Sequence, residues 1–283
     1  MRERILLLHP GEMGSSIGAG LRSNGHHVLW VRDGRSGATL KRAQDAGLES
    51  VGKLEPALGC VDHVIAVCPP HAALALARQV ASAGFEGTYL DANAVSPGVA
   101  REIQAVIGDG YVDGGIVGPP AWSEGTTRLY LSGPRASEVA GWFAGSRVAA
   151  EDIGGEPGAA SALKMCYAAF TKGSSALILA IRALAQREGV TPALLREWDL
   201  SQPGLGPRSE MTARATSRKA WRFEGEMREI AATFEAAGLP GGFHAAAAEI
   251  YGRLGALKDV EGGADLDAVV ALLLGTSAAG RNR

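Results

Sequence analysis

The sequence predicts an α/β chain in which a doubly wound parallel sheet is followed by an all-α C-terminal domain. Three observations carry this. A short apolar strand near the start, Ile5-Leu6-Leu7-Leu8, runs directly into a glycine turn, His9-Pro10-Gly11-Glu12-Met13-Gly14. The first half alternates short apolar runs with helical spacing, as buried parallel strands joined by crossover helices do. From Gly158 onward only helical spacing remains, with no convincing strand.

The elements follow in order. Strands are expected at Arg4–Leu8, His27–Val31, His63–Val67, Tyr89–Asp91, Tyr111–Ile116 and Arg128–Ser132. Their apolar residues are continuous rather than alternating, so both faces are expected to be covered. Helices are expected between them at Ser15–Ser23, Thr39–Ala46, His71–Ala83 and Pro97–Ile107. Gly154-Gly155-Glu156-Pro157-Gly158 reads as a joint, giving a dinucleotide-binding domain over 1–157 and a helical domain over 158–283. The second half reads as Ala160–Glu188, Pro192–Asp199, Pro207–Ala236, Gly242–Leu257 and Asp265–Leu274. The first of these is rich in Ala and Leu, and such a helix is usually surrounded by protein. A homodimer through the C-terminal helices is therefore expected, with a large monomeric core as the other option.

Composition narrows the function classes. A formal net charge of −2 over 283 residues gives no general attraction to nucleic acid or to an anionic membrane. Three cysteines, Cys60, Cys68 and Cys166, are too few and too irregular for a disulfide scaffold or a zinc site. No metal is expected, and a reducing cytoplasm is the default compartment. A secretory leader is not expected, because the residues ahead of the first strand do not form a basic-then-apolar run. The most apolar helix is interrupted by Lys164, Lys172 and Arg182, which argues against a membrane span. The terminal Arg281-Asn282-Arg283 reads as a frayed tail.

A strand, a tight glycine turn and a helix make a site for the pyrophosphate of a dinucleotide, because free N–H groups at the helix start face the anion. Here Gly11 brings the backbone close to the phosphates and Gly14 lets the helix pack on the strand. The usual first glycine is replaced by His9, which either stacks beneath the pyrophosphate or merely fills the glycine position. A second strand follows at about the ~30-residue spacing of one βαβ unit. After it comes Val31-Arg32-Asp33-Gly34-Arg35-Ser36. Arg32, Arg35 and Ser36 suit the 2′-phosphate of NADP, whereas Asp33 argues for the ribose diol of NAD. NADP(H) is favoured over NAD(H).

Read together, five places resemble the β-hydroxyacid dehydrogenase superfamily, which includes 3-hydroxyisobutyrate and 6-phosphogluconate dehydrogenases and the imine reductases. They are Pro10-Gly11-Glu12-Met13-Gly14, Val67-Cys68-Pro69-Pro70, Asp91-Ala92-Asn93-Ala94-Val95-Ser96-Pro97, Val112-Asp113-Gly114-Gly115-Ile116-Val117-Gly118-Pro119 and Gly158-Ala159-Ala160-Ser161-Ala162-Leu163-Lys164. The resemblance covers nearly the whole chain. It is nearest to a short branch whose C-terminal domain is related to that of phosphogluconate dehydrogenase, with Gly225–Ala231 and Gly238-Leu239-Pro240 typical of it.

The resemblance implies a small-molecule substrate, hydride transfer to or from nicotinamide C4, and Lys164 as general acid/base. It also implies cofactor contacts from Pro10 to Gly14 and from Cys68, Pro69, Pro70 and Asn93. Lys164 falls just after the joint, which places it in a cleft between the domains, where desolvation lowers a lysine pKa toward neutrality. Its other reading is a lysine snorkelling from a buried helix. Tyr167, Thr171 and Ser175 continue its face. They either wet the cleft wall or bond back to the helix backbone. The family's asparagine four residues after the lysine is Ala168 here, and its loop serine is Val117 or Gly118. Substrate contacts are therefore expected from Asn93, Val117, Gly118, Tyr167 and Thr171, and the acid-binding set is incomplete. Asn93 also reads as a turn cap. Among Arg128, Arg182, Arg208 and Arg214 the sequence does not say which binds an acid. Two alternatives remain: imine reduction, and a non-catalytic dinucleotide sensor.

Overall fold

Seven-tenths of the apolar sheet core comes from runs only four or five residues long, and this brevity sets the architecture. 

Among the described residues, 20 buried apolar residues lie in strands, and 14 of them sit in strands of four or five residues. Such strands bury both faces only when helices cover each side. The computed structural model describes residues 2–276, so the Arg281-Asn282-Arg283 tail lies outside the described residues. The chain divides into two compact units that meet at Met165 and Cys166.

The first unit alternates strands and helices: β1 (Arg4–Leu8), α1 (Glu12–Ser23), β2 (His27–Val31), α2 (Gly37–Asp45), β3 (Glu49–Val51), α3 (Leu54–Leu58), β4 (His63–Ala66), α4 (Pro70–Ser82), β5 (Thr88–Asp91), α5 (Pro97–Ile107), β6 (Tyr111–Val117), β7 (Thr127–Ser132), α6 (Ala136–Gly141) and β8 (Val148–Asp152). They form one eight-stranded sheet in the order β3-β2-β1-β4-β5-β6-β7-β8. Every neighbouring pair is parallel except β6 and β7. The chain leaves β1 toward β2 and β3, then returns to the other side of β1 with β4. That reversal is the topological switch point, where ligands of doubly wound sheets bind beyond the strand ends.

One face of the sheet buries Ile5, Leu7, Ile17, Leu21, Trp30 and Phe143, and the other buries Leu6, Leu8, Val64, Ala77, Tyr89 and Tyr111. The alternation of Ile5 and Leu7 with Leu6 and Leu8 is the period of two that sends successive side chains to opposite faces. Two strands escaped the sequence reading. β3 and β8 are the outermost strands, and their exposed residues, including Glu49 and Glu151, lack the continuous apolar run used to recognise the others.

Gly14 decides how α1 meets β1. A β-carbon there would stand 2.5 Å from the His9 carbonyl oxygen, a backbone atom that cannot swing aside. The helix expected from Ser15 starts one turn earlier: α1 begins at Glu12, with Gly11 as its N-cap.

Helix α7 (Ala159–Arg187) begins in the first unit and continues into the second. The second unit adds α8 (Thr191–Ser201), α9 (Leu205–Ser217), α10 (Ala220–Ala236), α11 (Gly242–Arg253) and α12 (Leu266–Leu273). The single helix expected over Pro207–Ala236 is therefore two. At the break, the Ser217 hydroxyl accepts a hydrogen bond from Ala264 N (2.9 Å), a contact 47 residues away in sequence. By length and composition α7 is apolar enough to cross a membrane, but half of its most apolar window is buried inside the protein. Its charges also have protein partners. Lys172 pairs with Glu226, and Arg182 donates to the Ser209 hydroxyl at 2.5 Å. This is the pattern of a core helix.

Candidate active site

The C-terminal ends of β1, β4, β5 and β6 lie side by side along one edge of the sheet. The turn after β1 is shaped by its backbone. Gly11 N donates to the His9 carbonyl at 2.8 Å, and His9 takes a left-handed conformation with φ 68°. Pro10 is buried, Gly11 and Met13 are half-buried, and Glu12 is exposed. A β-carbon at Gly11 would meet nothing within 4 Å, so open space faces this residue. No side chain caps α1, and its first-turn amides are the kind of donors that receive a phosphate. The turn therefore fits the pyrophosphate of a dinucleotide.

After β2, Arg32, Arg35 and Ser36 are all exposed. The Ser36 hydroxyl caps α2 by accepting from Thr39 N at 3.3 Å. Arg35 acts electrostatically on both His9 and Cys68, so its charge is felt at the turns after β1 and β4. After β4, Cys68 is half-buried, Pro69 is exposed and Pro70 opens α4. Burial, reinforced by Asp91, pushes the Cys68 thiol up to about 12, which makes it an inert neutral side chain near neutral pH.

Asn93 is buried beyond the end of β5. Its side-chain oxygen accepts from Cys68 N (2.5 Å), and its amide donates to Asp91 Oδ1. Asn93 thus pins the loop after β4 to the end of β5. Asp91 also accepts from Asn93 N at 3.0 Å, while its Oδ2 is buried without a hydrogen-bond partner. Burial pushes the Asp91 carboxyl up to about 7, against the opposing pull of the Asn93 hydrogen bonds. An acid with a raised folded pKa binds more protons in the native state than in the unfolded state. Stability from this group is therefore lost as pH rises from about 4 to about 7. Across that window the Tm of the wild type is expected to fall by a few degrees relative to Asp91→Asn. Thermal melts of both proteins at half-unit pH steps check this, and a pH-independent Tm difference contradicts it.

Lys164 lies on α7 in the first unit, and its Nζ donates to the Ile116 carbonyl at 2.6 Å. Gly115 makes this approach possible. A β-carbon at Gly115 would stand 2.7 Å from the Ala160 carbonyl and 3.1 Å from Lys164 Cβ. The start of α7 is fixed by a residue whose role the sequence did not disclose. Asp113 on β6 accepts from Gly158 N and Ser161 N (both 2.9 Å), from the Ser161 hydroxyl (2.6 Å) and from the Ser132 hydroxyl (3.1 Å). Ser132 faces Asp113 across the β6–β7 ladder, and its hydroxyl accepts from Ala160 N at 3.1 Å. A buried carboxylate at a helix N-terminus satisfies its orphan amides and complements its dipole. Asp113 and Ser161 are 48 residues apart, so no local sequence signal could have joined them.

Of the residues expected near the substrate, Val117 is buried at the end of β6 and Gly118 is exposed with φ 118°. A β-carbon at Gly118 would collide with the Thr126 carbonyl, so backbone packing accounts for this glycine. Tyr167 and Thr171 belong to the second unit. Tyr167 is exposed, the Thr171 hydroxyl donates to the Tyr167 carbonyl (3.1 Å), and the Ser175 hydroxyl donates to the Thr171 carbonyl (2.8 Å). This is the back-bonded arrangement that the spacing left open. Among the described residues, no group of three or more His, Cys, Asp or Glu side chains could hold a metal ion.

The sheet order and the glycine turn at its switch point define a dinucleotide-binding doubly wound fold carrying a helical C-terminal region. Comparison with known proteins refines that class. Residues 185–254 match a family described as a domain of unknown function, DUF1932. An uncharacterized 28.5 kDa protein of Methanothermus fervidus is 28% identical over 193 residues, 68% of this chain and 74% of that protein. A conserved protein of unknown function with structural similarity to 3-hydroxyacid dehydrogenases is 27% identical, covering 92% of this chain and 100% of its own, at a TM-score of 0.67. The 3-hydroxyisobutyrate dehydrogenase of Mycobacterium tuberculosis shares the fold at 20% identity and a TM-score of 0.71, covering 96% of this chain and 99% of that one.

More distant in fold are a reductive aminase of Aspergillus terreus in complex with NADPH and ethyl levulinate and an imine reductase variant of Myxococcus stipitatus in complex with NAD+. Their TM-scores are 0.56 and 0.54, at 18% and 19% identity, covering 95% and 97% of this chain and 99% and 100% of theirs. The structural neighbours thus include 3-hydroxyisobutyrate dehydrogenase-like β-hydroxyacid dehydrogenases, and the resemblance read from the sequence holds.

Proposed function

We propose that this chain is an NAD(P)-dependent oxidoreductase, with NADP(H) favoured, acting on a small hydroxy acid and its carbonyl form. The observation that carries this reading is the placement of Lys164. Its Nζ is held by the Ile116 carbonyl near the end of β6, on the sheet edge that also carries the glycine turn. Pro10 to Gly14 would hold the pyrophosphate, and Arg32, Arg35 and Ser36 the adenosine end. Cys68, Pro69 and Pro70 supply a wall that Asn93 keeps in place. The nicotinamide, when bound, supplies or accepts the hydride. Lys164 manages the accompanying proton. A carbonyl acceptor such as that of Ile116 can only receive N–H, so it holds the amine without competing for its role as donor. Lys164 gives a proton to the substrate oxygen in reduction and takes it back in oxidation.

Reduction of an imine is the second reading, and a specific observation favours it. The position four residues after Lys164 is the buried Ala168, which offers no polar group for a hydroxy acid. Pairing of two copies through the C-terminal helices also belongs to this proposal. It is supported by Phe170, Leu177 and Leu184, which recur at seven-residue spacing along α7 and are all exposed.

The test is consumption of NADPH and NADH, followed at 340 nm, against a panel of oxo acids, aldehydes and cyclic imines. We expect turnover with a carbonyl substrate and a preference for NADPH. Tight dinucleotide binding without turnover on any panel member would identify a sensor instead.

A further inference from the structure

His9 is the only non-glycine residue with positive φ among the described residues. For a residue bearing a β-carbon, the left-handed region costs on the order of 1–2 kcal/mol, which glycine avoids. The turn itself does not require an imidazole, because its shape comes from the Gly11 N to His9 carbonyl bond and from the close approach of Gly14. Nor does the fold use the imidazole: His9 Nδ1 is buried with no hydrogen-bond partner. His26 shows the contrast, since its Nδ1 accepts from Glu3 N (3.1 Å) and its Nε2 bonds the Trp142 carbonyl (3.0 Å). A strained residue with an idle buried nitrogen, at the switch point of the sheet, points to a ligand.

The surroundings define the ligand's chemistry. The charged group acting on His9 is the Arg35 guanidinium, which also acts on the neutral Cys68 thiol. Burial, assisted by Arg35, pushes the imidazole down to about 4, so it is neutral near pH 7 and carries one N–H. A cation and a neutral donor together match a phosphate, which pairs with the guanidinium and accepts a further hydrogen bond.

We propose that His9 is a phosphate-recognition residue, its imidazole and the Arg35 guanidinium together receiving one phosphate of the bound dinucleotide. This rests on the dinucleotide reading given above. Two phosphates have this chemistry: the pyrophosphate, common to NADH and NADPH, and the adenosine 2′-phosphate of NADPH alone.

Isothermal titration of the full chain with NADPH and with NADH tests the proposal, comparing wild type with His9→Gly. The variant is expected to bind NADPH about 10-fold more weakly, the loss of one hydrogen bond of about 1.4 kcal/mol. Its Tm is expected to be preserved or raised, because the backbone strain is gone. Weakening of NADPH alone identifies the 2′-phosphate, and equal weakening of both identifies the pyrophosphate; either result supports the proposal. His9→Asn, which tolerates the left-handed backbone, replaces the glycine variant if that one does not fold. Undiminished binding of both dinucleotides by the variant overturns the role of His9 alone. Failure of the wild type to bind either dinucleotide overturns the dinucleotide reading and this inference with it.

Discussion

Lys164→Ala is expected to lower kcat/KM for a hydroxy acid or carbonyl substrate by about 10²-fold or more, the usual contribution of a general acid/base. The expectation follows from where the side chain is held. Lys164 is one helical turn beyond Ser161, the residue anchored by Asp113, and its Nζ is fixed on the Ile116 carbonyl. Alanine removes the proton carrier and leaves Gly115, Ala160 and the helix start in place. The stability change should stay near that of one hydrogen bond, about 1 kcal/mol. Dinucleotide affinity should change little, so the loss should appear in kcat more than in cofactor binding. Steady-state kinetics beside a thermal melt separate these effects. A small kinetic effect on an imine substrate, which arrives already protonated, would favour the imine reading. Unchanged turnover of a carbonyl substrate would remove Lys164 from the mechanism.

The second large effect is structural. Asp113→Ala deletes the acceptor of four hydrogen bonds, from Gly158 N, Ser161 N, the Ser161 hydroxyl and the Ser132 hydroxyl. All four of the residues Asp113, Ser132, Gly158 and Ser161 are buried, so water does not readily replace the lost carboxylate. Leaving such donors unsatisfied is expected to cost about 3–5 kcal/mol. The corresponding fall in Tm is on the order of 10 °C. Asp113→Asn keeps an acceptor of the same shape and should lose less. Turnover should fall as well, because Asp113 positions the helix that carries Lys164. Chemical denaturation of the three proteins measures the cost, and a loss below about 1 kcal/mol for the alanine variant would show that the N-terminus of α7 is held by other means.

Much of this was legible in the sequence because the signals are local. The glycine turn, the apolar runs of β1, β2 and β4, and the change to helical spacing after Gly158 are each written in adjacent residues. β3 and β8 were not legible. At the two edges of the sheet they are stabilised by a neighbour's backbone rather than by burial of their own side chains. The break between α9 and α10 was hidden for a related reason: no proline or glycine marks Arg218-Lys219, and Ser217 is engaged by Ala264 from a distant segment. At the candidate site the motif residues themselves could be named, but not what their side chains do. Asn93 was expected near cofactor or substrate, with a turn cap as its other reading, and its amide joins Cys68 to Asp91.

The sequence by itself determined the fold class and the position of the glycine turn, since periodicity and short motifs are properties of neighbouring residues, while Lys164 was named through the family resemblance. Only the tertiary structure decided that Asp113 anchors the helix behind Lys164, that Asp91 is a buried acid beside Asn93, and that His9 sits in a left-handed turn with an idle nitrogen near Arg35. Hydrogen-bond satisfaction, desolvation and close backbone approach depend on atoms that lie tens of residues apart in the chain, and they exist only once the sheet has brought its strand ends together.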